Sequence, residues 1–185
     1  MLPHPATRPY PMRYVSQWAA KNVMQVLLRP IRLEDEPAMA KFHETLSDRS
    51  VYLRFFHMEK LSSRVAHERL LRKCLIDYDG EMALVADGVD PAGGEHEIMA
   101  VGRLSRAPES REAEVAILVA DRFQRCGLGS ELMSRLIQVA RDEQLEHITA
   151  AILPENMGMR ALAARYGFKV VKDEDLSVIR AVLTL

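Results

Sequence analysis

Cysteine is nearly missing: Cys74 and Cys126 are the two in 185 residues. They form neither a metal-ligand spacing nor a disulfide framework, which excludes a zinc module or a cystine-stapled scaffold and suits a reducing interior. An excess of charge is missing too. With 25 Lys and Arg against 26 Asp and Glu, the net charge is −1, so there is no electrostatic case for nucleic acid or an anionic membrane. No apolar run approaches the roughly 20 residues that span a bilayer, and the first residues lack the apolar core of a secretory signal. The expected compartment is the cytoplasm, and no metal is expected.

A chain of this length with 48% hydrophobic residues can bury one good core. Residues 1–15 hold four prolines and no apolar period, so residues 1–22 read as an arm or interdomain linker and residues 23–185 as one domain. Val23 to Ile31 reads as the first strand. Glu34 to Pro37 then opens a helix, with acids and proline in its first turn, and Met39, Phe42 and Leu46 share one face. A second helical region runs from Ser63 to Leu75, with Val65, Leu70 and Leu71 as core candidates. Strands follow at Met82–Ala86, Ile98–Leu104 and Glu112–Val119, with a turn over Gly88–Gly94. A long helix beginning near Ser130 puts Leu132, Met133, Leu136, Ile137 and Ala140 on one side. Ile148–Leu153 is a strand, Asn156–Tyr166 a helix, and Phe168–Val171 and Leu176–Leu183 close the sheet. The pattern predicts an α/β fold: a mixed sheet of six to seven strands, with about four helices on its two faces.

Between the strand ending at Val119 and the long helix lie Gln124, Gly127 and Gly129. Glycines let a ligand approach the backbone, and the free N–H groups of a helix start favour a phosphate. The string is not a P-loop, which needs a Gly-Lys-Ser/Thr ending. Nor is it a dinucleotide fingerprint, because Leu132 stands where the third glycine belongs. Gln-x-x-Gly-x-Gly with Glu114 ten residues earlier resembles the GNAT acetyltransferase superfamily. That resemblance implies a GNAT fold, with a mostly antiparallel central sheet, and acetyl-CoA as co-substrate, held along Leu118, Val119, Gln124, Arg125, Cys126, Gly127, Leu128, Gly129, Ser130 and Asn156.

Acetyl transfer to an amine needs a held thioester, a deprotonated amine and stabilisation of the oxyanion. A lysine amine, with a pKa near ~10.4, must lose a proton before it attacks. A carboxylate can take that proton. Glu114 is the expected base, and strand alternation puts it with Ala116 and Leu118, facing an interior cleft. Glu112 shares that face as a reserve. Arg125 either adds a charge to the pyrophosphate site or faces solvent. Cys126 is read as contributing only its backbone, against the alternative of a thiol activated by the helix start. Asn156 is a helix N-cap, a contact to the pantetheine arm, or both. GNAT sequences often carry an acidic tyrosine four residues before Gly167 and Phe168. That position is Ala163, and Tyr166 is read as core.

Further residues narrow the resemblance: Arg29 to Pro37, Tyr52 to His57, Ile76 to Asp79, Glu81 to Val85, Arg111 to Val115 and Leu153 to Asn156. Together they resemble the GNAT domain of bacterial Pat-type protein lysine acetyltransferases over about residues 27–172. This implies a glutamate base, no tyrosine acid, a protein lysine acceptor and AMP-forming acyl-CoA synthetases as partners. In many such proteins the domain follows a large acyl-CoA-synthetase-like region, and Arg8 to Pro11 resembles the joining segment, so the chain reads as a fragment or a stand-alone version. Two other readings stay open: a small-molecule amine acetyltransferase, and a non-catalytic acyl-CoA sensor. For Tyr52 to His57, Arg54 and His57 are candidates to contact a protein substrate, with Phe55 and Phe56 as core. Asp77 to Asp79 reads as a turn.

Overall fold

A computed structural model describes residues 9–19, 25–89, 94–171 and 177–185. Its strands are β1 Ser16–Ala19, β2 Gln25–Pro30, β3 Glu81–Val89, β4 His96–Arg106, β5 Glu112–Val119, β6 His147–Ile152, β7 Lys169–Val171 and β8 Ile179–Thr184. They form one sheet in the order β1-β2-β3-β4-β5-β6-β8-β7. Every neighbouring pair is antiparallel except β5 and β6. The helices are α1 Glu36–Glu44, α2 Asp48–Phe55, α3 Leu61–Arg64, α4 His67–Cys74, α5 Leu128–Asp142 and α6 Met157–Arg165.

The middle strands are buried on both faces, which is why Met82 to Ala86 and Ile98 to Leu104 read as unbroken apolar runs. One face is covered by α1 on β4, α2 on β5 and α4 against α1. The other is covered by α5. A side chain at Gly102 of β4 would lie 2.9 Å from the terminal methyl of Leu136 of α5, so anything larger than glycine requires that side chain to move.

The first helical layer is pinned by charge. Buried Arg29 of β2 donates to both oxygens of Asp35, each at 2.7 Å, and to Asp87 of β3 at 3.1 Å. Asp35 also accepts from the Arg32 backbone at 2.7 Å, closing the turn that feeds α1. Burial works against the guanidinium charge, but Asp35 and then Asp87 outweigh it and raise its proton affinity.

Several expectations are corrected. The fold class is as expected, but among the described residues the sheet has eight strands rather than six to seven, and there are six α-helices rather than about four. Ser16–Ala19, inside the expected arm, pairs with β2, and Tyr10 donates to the Pro30 carbonyl at 2.8 Å. The strand expected from Val23 to Ile31 is β2, which runs from Gln25 to Pro30, and Val23 lies outside the described residues. The expected helix over Ser63–Leu75 is two helices, α3 and α4, and α2 was not anticipated. Its start depends on tertiary contacts: Ser47 caps the Ser50 N–H while Asp121, far along the chain, grips Ser47. Local propensity does not carry such a helix. The strand ending at Ala86 continues to Val89, because Gly88 packs under Met99 rather than turning. Phe56 is not core. It ends α2 in the left-handed conformation (φ 67°) and is 37% exposed. The turn at Asp77 is as expected, with its side chain accepting from the Asp79 backbone.

Asp35→Ala leaves a buried cation with half its partners, and it should lower unfolding stability by about 3 kcal/mol. Urea denaturation of the variant measures this, and a loss below about 1 kcal/mol would mean that the ion pair does not pin α1.

Candidate active site

The site begins where two strands part. β5 and β6 run parallel and pair only at Glu112–His147, Ala113–Ile148 and Glu114–Thr149. Beyond them β6 stays with β8 and β5 stays with β4. From Val115 to Val119 the β6-facing edge of β5 therefore has no strand partner, although backbone groups away from water need one. Leu118 and Val119 lie on this stretch. The Val119 carbonyl accepts from Gln124 Nε2 at 3.2 Å.

The turn after β5 presents donors. Arg125 (φ 63°) and Gly127 (φ 96°) are both left-handed, and α5 starts at Leu128 with no side-chain cap. Among the described residues, none of the N–H groups from Arg125 to Ser130 has an intramolecular acceptor; the first helical bond runs from the Glu131 N–H to the Gly127 carbonyl. Successive free N–H groups at a helix start form an anion cradle, to which Arg125, exposed and outside any ion pair among the described residues, can add charge. A side chain at Gly129 would meet Val119 and Leu162 at ordinary contact distances of 3.7 and 3.8 Å, so the protein itself does not demand glycine there.

The cradle is fastened to α2. Asp121 accepts from the Ser47 N–H at 2.9 Å, the Ser47 hydroxyl at 2.6 Å and the Ser50 hydroxyl at 2.9 Å. Burial opposes its charge, but these hydrogen bonds outweigh burial and hold its carboxyl below the usual range. Gln124 Nε2 also reaches the Ser50 hydroxyl at 3.2 Å. Trp18 of β1 lies against Gly127, within 3.4 Å of where a side chain would begin. No feature of the arm's composition pointed to this indole.

The remaining candidates fall into place individually. Cys126 turns its thiol inward and donates to the Phe123 carbonyl at 2.6 Å, leaving its backbone to the cradle. Asn156 caps α6, accepting from the Met159 N–H at 3.0 Å, while its Nδ2 has no acceptor among the described residues. Ala163 is buried. Tyr166 is half-buried against the core, but its hydroxyl donates to the Ser130 carbonyl at 2.7 Å, so reading it as core alone is corrected.

The register sets Val101 opposite Leu118, Arg103 opposite Ala116 and Ser105 opposite Glu114, which puts all six on one face. Over that face lies a cavity of about 250 Å³, walled by Ala116, Leu118, Val101, Phe42, Leu70, His43, Arg54, Arg69, Lys73 and Arg103. Glu114 does not point into an enclosed cleft as expected: its side chain is exposed, because β5 is still near its start there. Its carboxylate has no hydrogen bond or ion pair among the described residues, and its charge acts on Arg54. Glu112, the reserve candidate, accepts from Arg180 at 2.9 Å. His43 is 8% exposed with Nδ1 unpartnered; burial first, then Arg64, Arg69 and Arg103, push its pKa down to about 4.

A family model described as an acetyltransferase (GNAT) domain matches residues 25–169. An acetyltransferase of Pseudomonas aeruginosa is 32% identical over 150 residues, covering 81% of this chain and 78% of that protein. The acetyltransferase Pat of Mycolicibacterium smegmatis is 31% identical over 153 residues, covering 82% of this chain but 43% of Pat. The crystal structure of the GNAT domain of S. lividans PAT superposes with a TM-score of 0.83 at 28% identity, covering 96% of this chain and 100% of that one. Mycobacterium smegmatis RimJ in complex with CoA-disulfide shares the fold, with a TM-score of 0.69 at 18% identity over 92% of this chain and 86% of that one.

His43 has a lower pKa folded than its unfolded value near ~6.5, so the unfolded state binds more protons between the two. Its contribution to stability is complete above about pH 6.5 and is lost as pH falls towards 4, by up to a few kcal/mol, on the order of ~3. His43→Gln should flatten the melting temperature across that window, and an unchanged slope would show that His43 is not responsible.

Proposed function

The chain belongs to the GNAT acetyltransferase family and is an acyltransferase; from that premise we propose that it moves an acetyl group from acetyl-CoA to the side-chain amine of a protein lysine. Acetyl-CoA supplies the activated thioester. The N–H groups from Arg125 to Ser130 suit its pyrophosphate in number and direction, with Gln124 bracing the turn. The open edge of β5 from Val115 to Val119, with the unengaged Nδ2 of Asn156, suits the amides of the pantetheine arm.

The observation that carries the proposal is the position of Glu114, on the cavity face of β5 where that strand leaves β6. Its unengaged carboxylate accepts the proton of the incoming ammonium, directly or through a water, and the freed amine attacks. Ala163 offers no acid to the departing thiolate, and Tyr166 is tied to Ser130, so solvent protonates it. Exposure of Glu114 suits a base that must be reached by a lysine on another protein. Phe56, Met58 and Leu61, 37%, 57% and 41% exposed just beyond α2, give apolar surface for such a partner. AMP-forming acyl-CoA synthetases are the proposed substrates, on the resemblance of the motifs to Pat-type domains; this chain spans 43% of the length of Pat. The cytoplasm is the proposed compartment; among the described residues no helix is long and apolar enough to cross a membrane.

Incubation with acetyl-CoA and an AMP-forming acyl-CoA synthetase, followed by mass-spectrometric mapping, should reveal one acetylated lysine. Glu114→Gln should reduce its rate by about 100-fold or more. Rapid acetylation of free polyamines with no protein lysine modified would overturn the protein acceptor, and full activity of the variant would overturn the base.

Gly129→Ala separates cradle from scaffold. Its melting temperature should stay within a few degrees, while KM for acetyl-CoA rises about tenfold. Unaltered KM would mean that the ligand does not approach this backbone.

A further inference from the structure

Positive charge in the cavity exceeds what its neighbours neutralise. Arg103 is engaged, donating to Glu81 at 2.7 Å and to the Lys73 carbonyl at 2.8 Å. Arg69 is held by both oxygens of Glu59. Arg54 is different. Its guanidinium has no hydrogen bond or ion pair among the described residues and lies 5.1 Å over the ring of its neighbour Phe55. Burial, followed by repulsion from Arg103, disfavours its charge, and Glu114 counteracts them. The Lys73 ammonium, on the same wall, likewise has no acceptor among the described residues. His43 adds a neutral ring whose buried Nδ1 is unpartnered. A partly desolvated cation and an unpaired buried nitrogen both cost free energy, and both costs are relieved by one hydrogen-bond acceptor carrying negative charge.

We infer that this cavity binds a carboxylate of the acceptor, with Arg54 as its principal ligand and Lys73 and His43 completing the site. The inference rests on the reading of the cavity face of β5 as the acceptor side. Glu114 shares that face with Ala116 and Leu118, so a carboxylate held at Arg54 places an amine on the same molecule near the base. Arg54 is suited to the task because its planar fork can grip a carboxylate through two donors. The site also explains the tie between α2 and the cradle. Asp121, Ser47 and Ser50 fix the helix that carries Arg54 to the turn that carries the co-substrate, so the two binding sites keep one spacing. The carboxylate has two possible sources: an acidic residue beside the target lysine of a protein, or the acceptor's own carboxylate if it is a free amino acid.

Three comparisons test the inference. Lysine peptides differing only by Glu or Gln beside the lysine are assayed with the wild type, Arg54→Gln and Arg54→Lys. The Glu peptide should be favoured about tenfold or more in kcat/KM, through KM, with the preference lost in Arg54→Gln and partly restored in Arg54→Lys. Free lysine against cadaverine, its decarboxylated counterpart, isolates the small-molecule source in the same three proteins. Glutarate, titrated by NMR without acetyl-CoA, reads the site independently of turnover and should shift cavity methyl signals in the wild type but not in Arg54→Gln. Acetylation of lysine over cadaverine, with both peptides inert, would overturn the protein acceptor and uphold the cavity. Glutarate binding indifferent to Arg54, or equal rates for each pair of acceptors, would overturn the carboxylate site.

Discussion

The short contact between β5 and β6 organises this molecule. Three paired positions hold the two strands parallel, and then β6 is claimed by β8 while β5 remains with β4. A longer pairing would close the sheet and remove the free backbone edge. A shorter one would leave the two halves of the sheet joined only through helices. The open edge, the glycine cradle above it and Glu114 at the fork all follow from where that pairing stops.

Around the fork, polar contacts fix what the apolar core leaves free. Packing of α5 on β4 is decided by volume, with Gly102 yielding space to Leu136. The opposite layer is decided by charge and hydrogen bonds. Arg29 with Asp35 fastens the start of α1, and Asp121 with Ser47 fastens the start of α2. Buried ion pairs add little net stability compared with apolar packing but specify one arrangement, since the half-broken pair is costly. That suits a layer that must present side chains to a cavity rather than simply fill space.

Legibility in the sequence followed the range of the interactions. Strand β5 was read with its observed bounds because its apolar run is local, and α5 because its stripe persists over four turns. The cradle was readable because glycine spacing and a helix start are neighbours in the chain. By contrast, α2 was missed because its cap is completed by Asp121, and β1 because four residues with one tryptophan carry no periodic signal. The exposure of Glu114 is hidden from the sequence for a related reason. Alternation gives the face of a strand but not how far the covering helices extend along it. Of the cationic wall the sequence singles out Arg54 alone: Arg54, Lys73 and Arg103 come from two helices and a strand, and only the fold brings them together.

Trp18 stands against Gly127, and it is the single tryptophan of the chain. The tryptophan emission of the protein therefore originates at one place, beside the turn proposed to cradle the co-substrate. An indole reports the polarity and quenching of its immediate surroundings, so occupancy of that turn is written into the native fluorescence without any attached dye. The edge strand that carries this ring thus gives the molecule its own optical gauge.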